Sequence, residues 1–147
     1  MCGFLSGCTK RASVEEHRVR AVTASYNQAL PGVYATKALE PLDGIATEDE
    51  IGRLYSIILG LSQRGLILDS RQESFHAESL EIPAADAAEL VSTEVWWYRH
   101  VNPDTNAVAQ APRRVHYKIR YQLIRMKERW LVNRLNLLES RNLPLGE

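Results

Sequence analysis

Between residues 13 and 64 apolar positions recur every three or four residues; from residue 66 onward they recur closer to every second one. That change of period predicts helices first and strands afterwards. Ser13-Val14-Glu15-Glu16 forms a capping box. In such a box the Ser13 hydroxyl accepts from the backbone N–H of residue 16, and Glu16 reaches back to the N–H of Ser13. Val19, Val22, Tyr26, Ala29 and Val33 follow at helical spacing. Pro31-Gly32 interrupts this stripe, because proline removes a backbone donor and ends or kinks a helix. A helix over 13–30 is therefore expected, with Val33 to Leu39 resuming as a short piece before Pro41.

A second box, Thr47-Glu48-Asp49-Glu50, places three acids in a first helical turn, where the helix dipole favours negative charge. Ile51, Leu54, Tyr55, Ile58 and Leu61 form its buried stripe, and Gly65 supplies a C-terminal cap. This predicts a helix over 48–64. Four strand candidates follow: the rather polar 66–82, the β-branched and aromatic 89–101, the alternating 114–126, and 129–138. Asn102-Pro103-Asp104 marks one turn and Lys127-Glu128 a tight hairpin. Two to three N-terminal helices before a four-stranded antiparallel sheet predict an α+β fold, with the helices packed on one face of a curved sheet.

Alternation also predicts which side chains face the core. In 114–126 the apolar set is Val115, Tyr117, Ile119, Tyr121 and Leu123, leaving His116, Lys118, Arg120 and Gln122 outside. In 89–101 the set Val91, Val95, Trp97 and Val101 reads as inner, so Glu94, Trp96, Tyr98 and His100 read as outer. Tyr117, Tyr121 and Trp97 then become possible lining residues of an inner cavity. The tight turn pairs Ile124 with Leu131 and, in unbroken register, Arg120 with Leu135. The resulting outer face carries Trp96, Tyr98, Lys118, Arg120, Ile124, Leu131 and Leu135. Aromatic anchors among arginines have the composition of a protein interface, for a partner protein or a second copy of the chain. The alternative is that Arg and Lys stems lie over the aromatic rings and shield them.

Little chemistry stands out. Asp69, His76, Glu94, His100 and His116 are the acid–base groups of the strands, and parity directs Glu94, His100 and His116 away from the core. His100 and His116 have no obvious third ligand, so no metal, cofactor or catalytic residue is assigned. Phosphate-loop and nucleophile-elbow motifs are absent.

The 147 residues suit one domain, with 45% apolar and 24% charged residues. Net charge is zero, yet residues 1–110 carry 15 Asp/Glu against 9 Lys/Arg, and residues 111–147 carry 9 Lys/Arg against 3 Asp/Glu. The basic residues are single outward positions rather than a run, so nucleic acid is not an expected partner. The only cysteines, Cys2 and Cys8, precede the first folded element, leaving the core without disulfide or thiolate metal site.

Two resemblances add to this. The helices at 13–30 and 48–64, the long strands, and the close Tyr117–Leu123 (YKIRYQL), turn, Arg129-Trp130-Leu131-Val132 resemble the nuclear transport factor 2-like superfamily. The likeness covers about 13–140 and implies a cone-shaped α+β domain. Some members are isomerases or dehydratases using an Asp or a His–Asp pair inside the cone; others are non-catalytic assembly modules. No motif aligns residue by residue with an active family, and fold does not fix function. Leu5-Ser6-Gly7-Cys8 resembles a bacterial lipobox. That resemblance implies a lipid on Cys8, residues 1–12 as signal remnant and tether, a domain over 13–140, a tail over 141–147, and a place at the bacterial cell envelope. Seven residues precede Cys8, none basic, so a full leader would begin upstream of Met1. A cytoplasmic protein with two exposed thiols is the alternative. The expectation is a non-catalytic envelope lipoprotein serving in assembly; the alternative is a small-molecule binder or isomerase-like enzyme using the cone.

Overall fold

A computed structural model describes residues 5–145, with side chains from residue 13 onward. Helix α1 spans Leu5–Thr36, a 3-10 turn spans Glu40–Leu42, and helix α2 spans Glu48–Gln63. Strands β1 (Ile67–Ala84), β2 (Ala87–Val101), β3 (Arg113–Met126) and β4 (Arg129–Leu143) form one antiparallel sheet in sequence order. The α+β class is as expected, with two helices packed against four strands.

Helix α2 begins and ends where its sequence signals lie. Thr47 Oγ1 accepts from the N–H of Glu50 at 3.2 Å and donates to Asn133 Oδ1 at 2.9 Å, so the cap also ties the helix to β4. At the other end Gly65 takes φ +70°. Its N–H bonds Ser62 O, and the Leu66 N–H bonds Leu61 O, both at 2.9 Å. This is the Schellman arrangement that glycine permits without a Cβ penalty. Leu54, Ile58 and Leu61 are buried as expected, but Tyr55 is exposed.

Helix α1 departs from expectation at both ends. It starts at Leu5, so Ser13 lies inside the helix rather than capping it, and part of the expected tether is helical backbone. It also runs through Pro31 to Thr36. Leu30 and Val33, on either side of the proline, are buried in the core, and their packing offsets the one missing backbone bond. Trp130 Nε1 donates to Glu15 Oε2 at 2.6 Å, pinning α1 to β4. The Cys8 side chain and all of Cys2 lie outside the described residues. The expected tail at 141–147 is strand up to Leu143.

The sheet is interrupted by bulges in both edge strands. In β1 the register against β2 shifts between Gln72 and Ser74 and again between Ala77 and Ser79. In β4 it shifts against β3 between Arg134 and Val132 and between Glu139 and Leu137. Each extra residue reverses the alternation and increases the local twist. Inward positions of β1 are therefore Leu68, Ser70 and Gln72, then Phe75 and Ala77, then Leu80 and Ile82. The β3–β4 hairpin turns on Lys127 and Glu128, both at positive φ, as a two-residue I′ turn requires. The core lies between α1, α2 and the inner sheet face, and includes Val19, Tyr26, Val33, Leu42, Leu54, Leu90, Tyr121, Leu123 and Val132.

Candidate binding cavity

Pairing β2 with β3 decides what faces inward. Leu90 opposes Tyr121, Ser92 opposes Ile119, Glu94 opposes Tyr117 and Trp96 opposes Val115. The inner face of β2 is thus the even-numbered set, the reverse of the sequence parity. Glu94 and Ser92 are essentially fully buried, and Trp96 is buried. Val91, Val95 and Trp97 face outward instead. Both faces of β2 carry large apolar residues, and the inner one also holds a glutamate, so hydrophobicity alone chose the wrong side.

Glu94 is buried without a cation beside it, and its two oxygens are filled by neutral donors. Oε1 accepts from Trp96 Nε1 at 2.8 Å and Gln72 Nε2 at 3.0 Å. Oε2 accepts from Ser92 Oγ at 2.6 Å and from the Tyr121 hydroxyl. Asn27, from α1, closes the cluster: its Nδ2 donates to the Tyr121 oxygen at 3.1 Å, and its Oδ1 accepts from Gln72 at 2.9 Å. A carboxylate has about four acceptor sites, and all are used. Glu94 therefore organises α1, β1, β2 and β3 around one point. It keeps no open lone pair with which to take a substrate proton.

A second buried acid lies on α2. Glu50 accepts from Tyr26 OH at 2.7 Å, from Arg53 Nε at 2.6 Å and from Arg53 Nη2 at 2.9 Å. Glu50 is buried while the Arg53 side chain is 43% exposed, so the pair reaches from the core to the surface. Tyr26 meets Tyr121 edge-on at 6.2 Å, which links the two clusters.

Above these clusters is a cavity of about 330 Å³. Glu94, Asn27, Ser70 and Trp96 border its inner part; Tyr34, Tyr98, Tyr117 and Arg53 contribute its other polar wall groups. Leu30, Leu68, Ile119, Leu135 and Leu137 supply apolar wall. The volume lies at the lower end of the ~300–1,000 Å³ of small-molecule sites. Burial raises the Tyr117 hydroxyl to about 12, with the adjacent Tyr98 phenol adding to the effect. Burial likewise holds Tyr34 above the ordinary phenol value. Tyr26 and Tyr121 are raised by burial and then by the Glu50 and Glu94 carboxylates they touch. The phenols thus remain neutral hydroxyls across the physiological range.

The expected interface divides. Lys118, Arg120, Ile124 and Leu131 do face outward. Trp96, Tyr98 and Leu135 face the cavity instead, Leu135 because the bulge in β4 pairs it with Tyr121 rather than Arg120. Of the expected lining residues, Tyr117 borders the cavity and Tyr121 lies under it, bonded to Glu94. Trp97 sits on the outer face, where the Arg71 guanidinium lies 4.6 Å from its ring centre and Arg99 5.6 Å. Asp69 pairs with Arg99 at 2.8 Å, and His76 is exposed. His100 is held below the usual imidazole value by burial and by the charges of Arg64 and Arg113. Its distance from His116 along the strands gives no metal site: no cluster of three metal-ligating side chains occurs among the described residues.

Asn27, Glu50, Arg53, Ser70, Gln72 and Ser92 were not singled out by sequence. One signal was present: Ser92 and Glu94 lie between Leu90 and Trp96, which is the pattern of an inner face built around a polar centre.

No protein-family model and no curated protein sequence matches the chain. Solved structures do. The intermembrane space region of chloroplast protein ARC6 superposes with a TM-score of 0.66 at 16% identity, covering 80% of this chain and 92% of that one. A ketosteroid isomerase-like protein from Erwinia carotovora atroseptica gives 0.55 at 14% identity, covering 88% and 96%. A conserved protein from Planctomyces limnophilus gives 0.54 at 12% identity, covering 86% and 99%. At such identities the likeness is one of fold. What the chain shares with these structures is an α+β fold of two helices packed against a four-stranded antiparallel sheet.

Proposed function

We propose that this chain is a non-catalytic binding module of the bacterial cell envelope, anchored through a lipid on Cys8 and working through its cone cavity. The observation that carries the binding reading is Glu94. It is the ionisable group at the base of the cavity, and four donors occupy both its oxygens. A general base needs an acceptor within reach of the proton it removes, and Glu94 offers none. The remaining walls are phenols and apolar side chains, suited to holding a molecule rather than transforming it.

Mass spectrometry of protein purified without denaturation tests this reading. One small molecule should leave on denaturation and be recovered unchanged after incubation with the protein; its conversion would make the chain an enzyme. The anchor has a separate test. Membrane-extracted protein should begin at an acylated Cys8, whereas an unmodified Met1 on soluble protein contradicts the lipoprotein reading.

A second reading, an assembly subunit docking a partner protein or another copy by the outer face, draws on Ile124 and Leu131. They oppose each other on that face, two positions from exposed Met126. Leu131→Glu should then lower the assembled mass measured by light scattering.

A further inference from the structure

The polar groups around the cavity are unevenly distributed. The inner carboxylate has its full set of donors. Spare donors are elsewhere: one hydroxyl in the wall, and two guanidinium groups with donor positions left over. Ser70 Oγ borders the cavity and is buried without a hydrogen-bond partner among the described residues. A buried hydroxyl without a partner calls for one, and a polar atom on a bound molecule would supply it. Arg53 borders the cavity with its Nε and Nη2 on Glu50, while its Nη1 has no partner among the described residues. Arg113 places its guanidinium 5.9 Å from the centre of the Tyr98 ring, a ring of the cavity wall. Its Nη2 donates to Asn142 Oδ1 at 3.1 Å, and it has no carboxylate partner among the described residues.

Arg53 lines the cavity, and Arg113 lies over a ring of its wall. Both reach solvent: Arg113 is exposed and the Arg53 side chain is 43% exposed, while Leu137 of the wall is 59% exposed. The phenols of Tyr34, Tyr98 and Tyr117 belong to the same cavity wall. Deeper in, Trp96, Ile119 and Leu135 give aromatic and aliphatic surface.

We infer that the cavity takes a small, flat, apolar organic acid, its ring system inside against Trp96 and its carboxylate at the mouth near Arg53 and Arg113. This rests on the binding reading above and adds the charge and orientation of the ligand. An acid head at the mouth meets guanidinium donors suited to carboxylate and neutral phenol hydroxyls, and stays partly hydrated, which lowers its desolvation cost. An organic cation is the competing occupant, since aromatic walls and Glu94 both attract positive charge. The geometry disfavours it: Glu94 has no acceptor left, and the guanidinium in the cavity wall, Arg53, repels a cation.

Three compounds with one body and different heads decide between them: 2-naphthoate, 2-naphthalenemethanol and 2-naphthylmethylammonium, each titrated into the full chain by calorimetry. The inference predicts that naphthoate binds about tenfold or more tighter than the ammonium compound, with the alcohol between. Arg113→Gln, a change at an exposed side chain, should weaken naphthoate severalfold and leave the alcohol unchanged. Raising salt should weaken naphthoate alone. Equal binding of all three would overturn the charge assignment and leave the binding reading standing. Tighter binding of the ammonium compound would assign the site to a cation and overturn the inference. Binding by none of the three would overturn the inference, while the mass-spectrometric test above decides the binding reading on its own.

Discussion

The two faces of the sheet are both polar, and they are polar in different ways. On the outer face charge is paired with charge at the surface. Arg99 bonds Asp69, Arg114 bonds Glu73, Lys118 reaches Glu78 and Arg120 meets Glu89. Arg114 and Lys118 start on β3 and find partners on β1, so their stems pass over β2, where Val91, Val95 and Trp97 face outward. These pairs are each about a third or more exposed on most of their members, and water screens them. On the inner face one buried carboxylate is held by four neutral donors from three strands, in a setting that water screens far less. The lesson is that counting polar residues does not rank the faces. What ranks them is the consequence of removing one partner.

The largest expected difference appears in alkali. The raised phenols of Tyr26, Tyr34, Tyr117 and Tyr121 all belong to the inner side. In the unfolded chain they ionise near 10.0, whereas in the fold they keep their protons. Above pH 10 the unfolded state therefore binds fewer protons than the native state, and stability falls as pH rises. For Tyr117 the loss runs from about 10 to about 12. Thermal melts from pH 8 to 11, with phenolate absorbance followed in parallel, should show melting temperature constant to near pH 10 and falling steeply beyond, ionisation accompanying unfolding. Ionisation of more than two of the six tyrosines while the fold persists would contradict the inner cluster.

Next in size is Glu94→Ala. It removes the shared acceptor of four buried donors, leaving Trp96 Nε1 and Ser92 Oγ unpartnered, and opens a void, at a cost of about 3–5 kcal/mol in urea denaturation. A loss below about 1 kcal/mol would show that the donors find other partners. Tyr121→Phe removes one donor and keeps the ring, so about 1–2 kcal/mol is expected. Smallest is the outer face: Arg120→Ala, breaking the pair with Glu89, should change stability by about 0.5 kcal/mol or less. If Arg120→Ala cost as much as Glu94→Ala, the contrast between the faces would be gone.

The same contrast explains what could be read from the sequence. Helix α2 was legible from Thr47 to Gly65 because both ends carry local chemistry that needs no tertiary partner. Strand β3 was legible because its apolar residues from Val115 to Leu123 all fall on one parity. Strand β2 was not, because Val91, Val95 and Trp97 on the outside outweigh Leu90 and Trp96 on the inside, and the inner set includes Ser92 and Glu94. Those polar residues are stable inside only because Asn27, Gln72 and Tyr121 arrive from distant positions, which no local pattern reports. Leu135 was misplaced because one inserted residue in β4, between Val132 and Arg134, turns the side chains that follow it to the other face until the second bulge. Helix α1 continued past Pro31 because the buried residues around it outweighed a single lost hydrogen bond.

Amide chemical-shift mapping during a 2-naphthoate titration tests the central claim, that the inner face builds a binding cavity while the outer face is a solvated ion-pair surface. The account predicts saturable shifts at Ser70, Trp96, Tyr98 and Tyr117 and at the Trp96 indole N–H, with Val95, Lys118 and Arg120 following only weakly as their strand neighbours. Shifts centred on the outer positions, with the Trp96 indole unmoved, would contradict it.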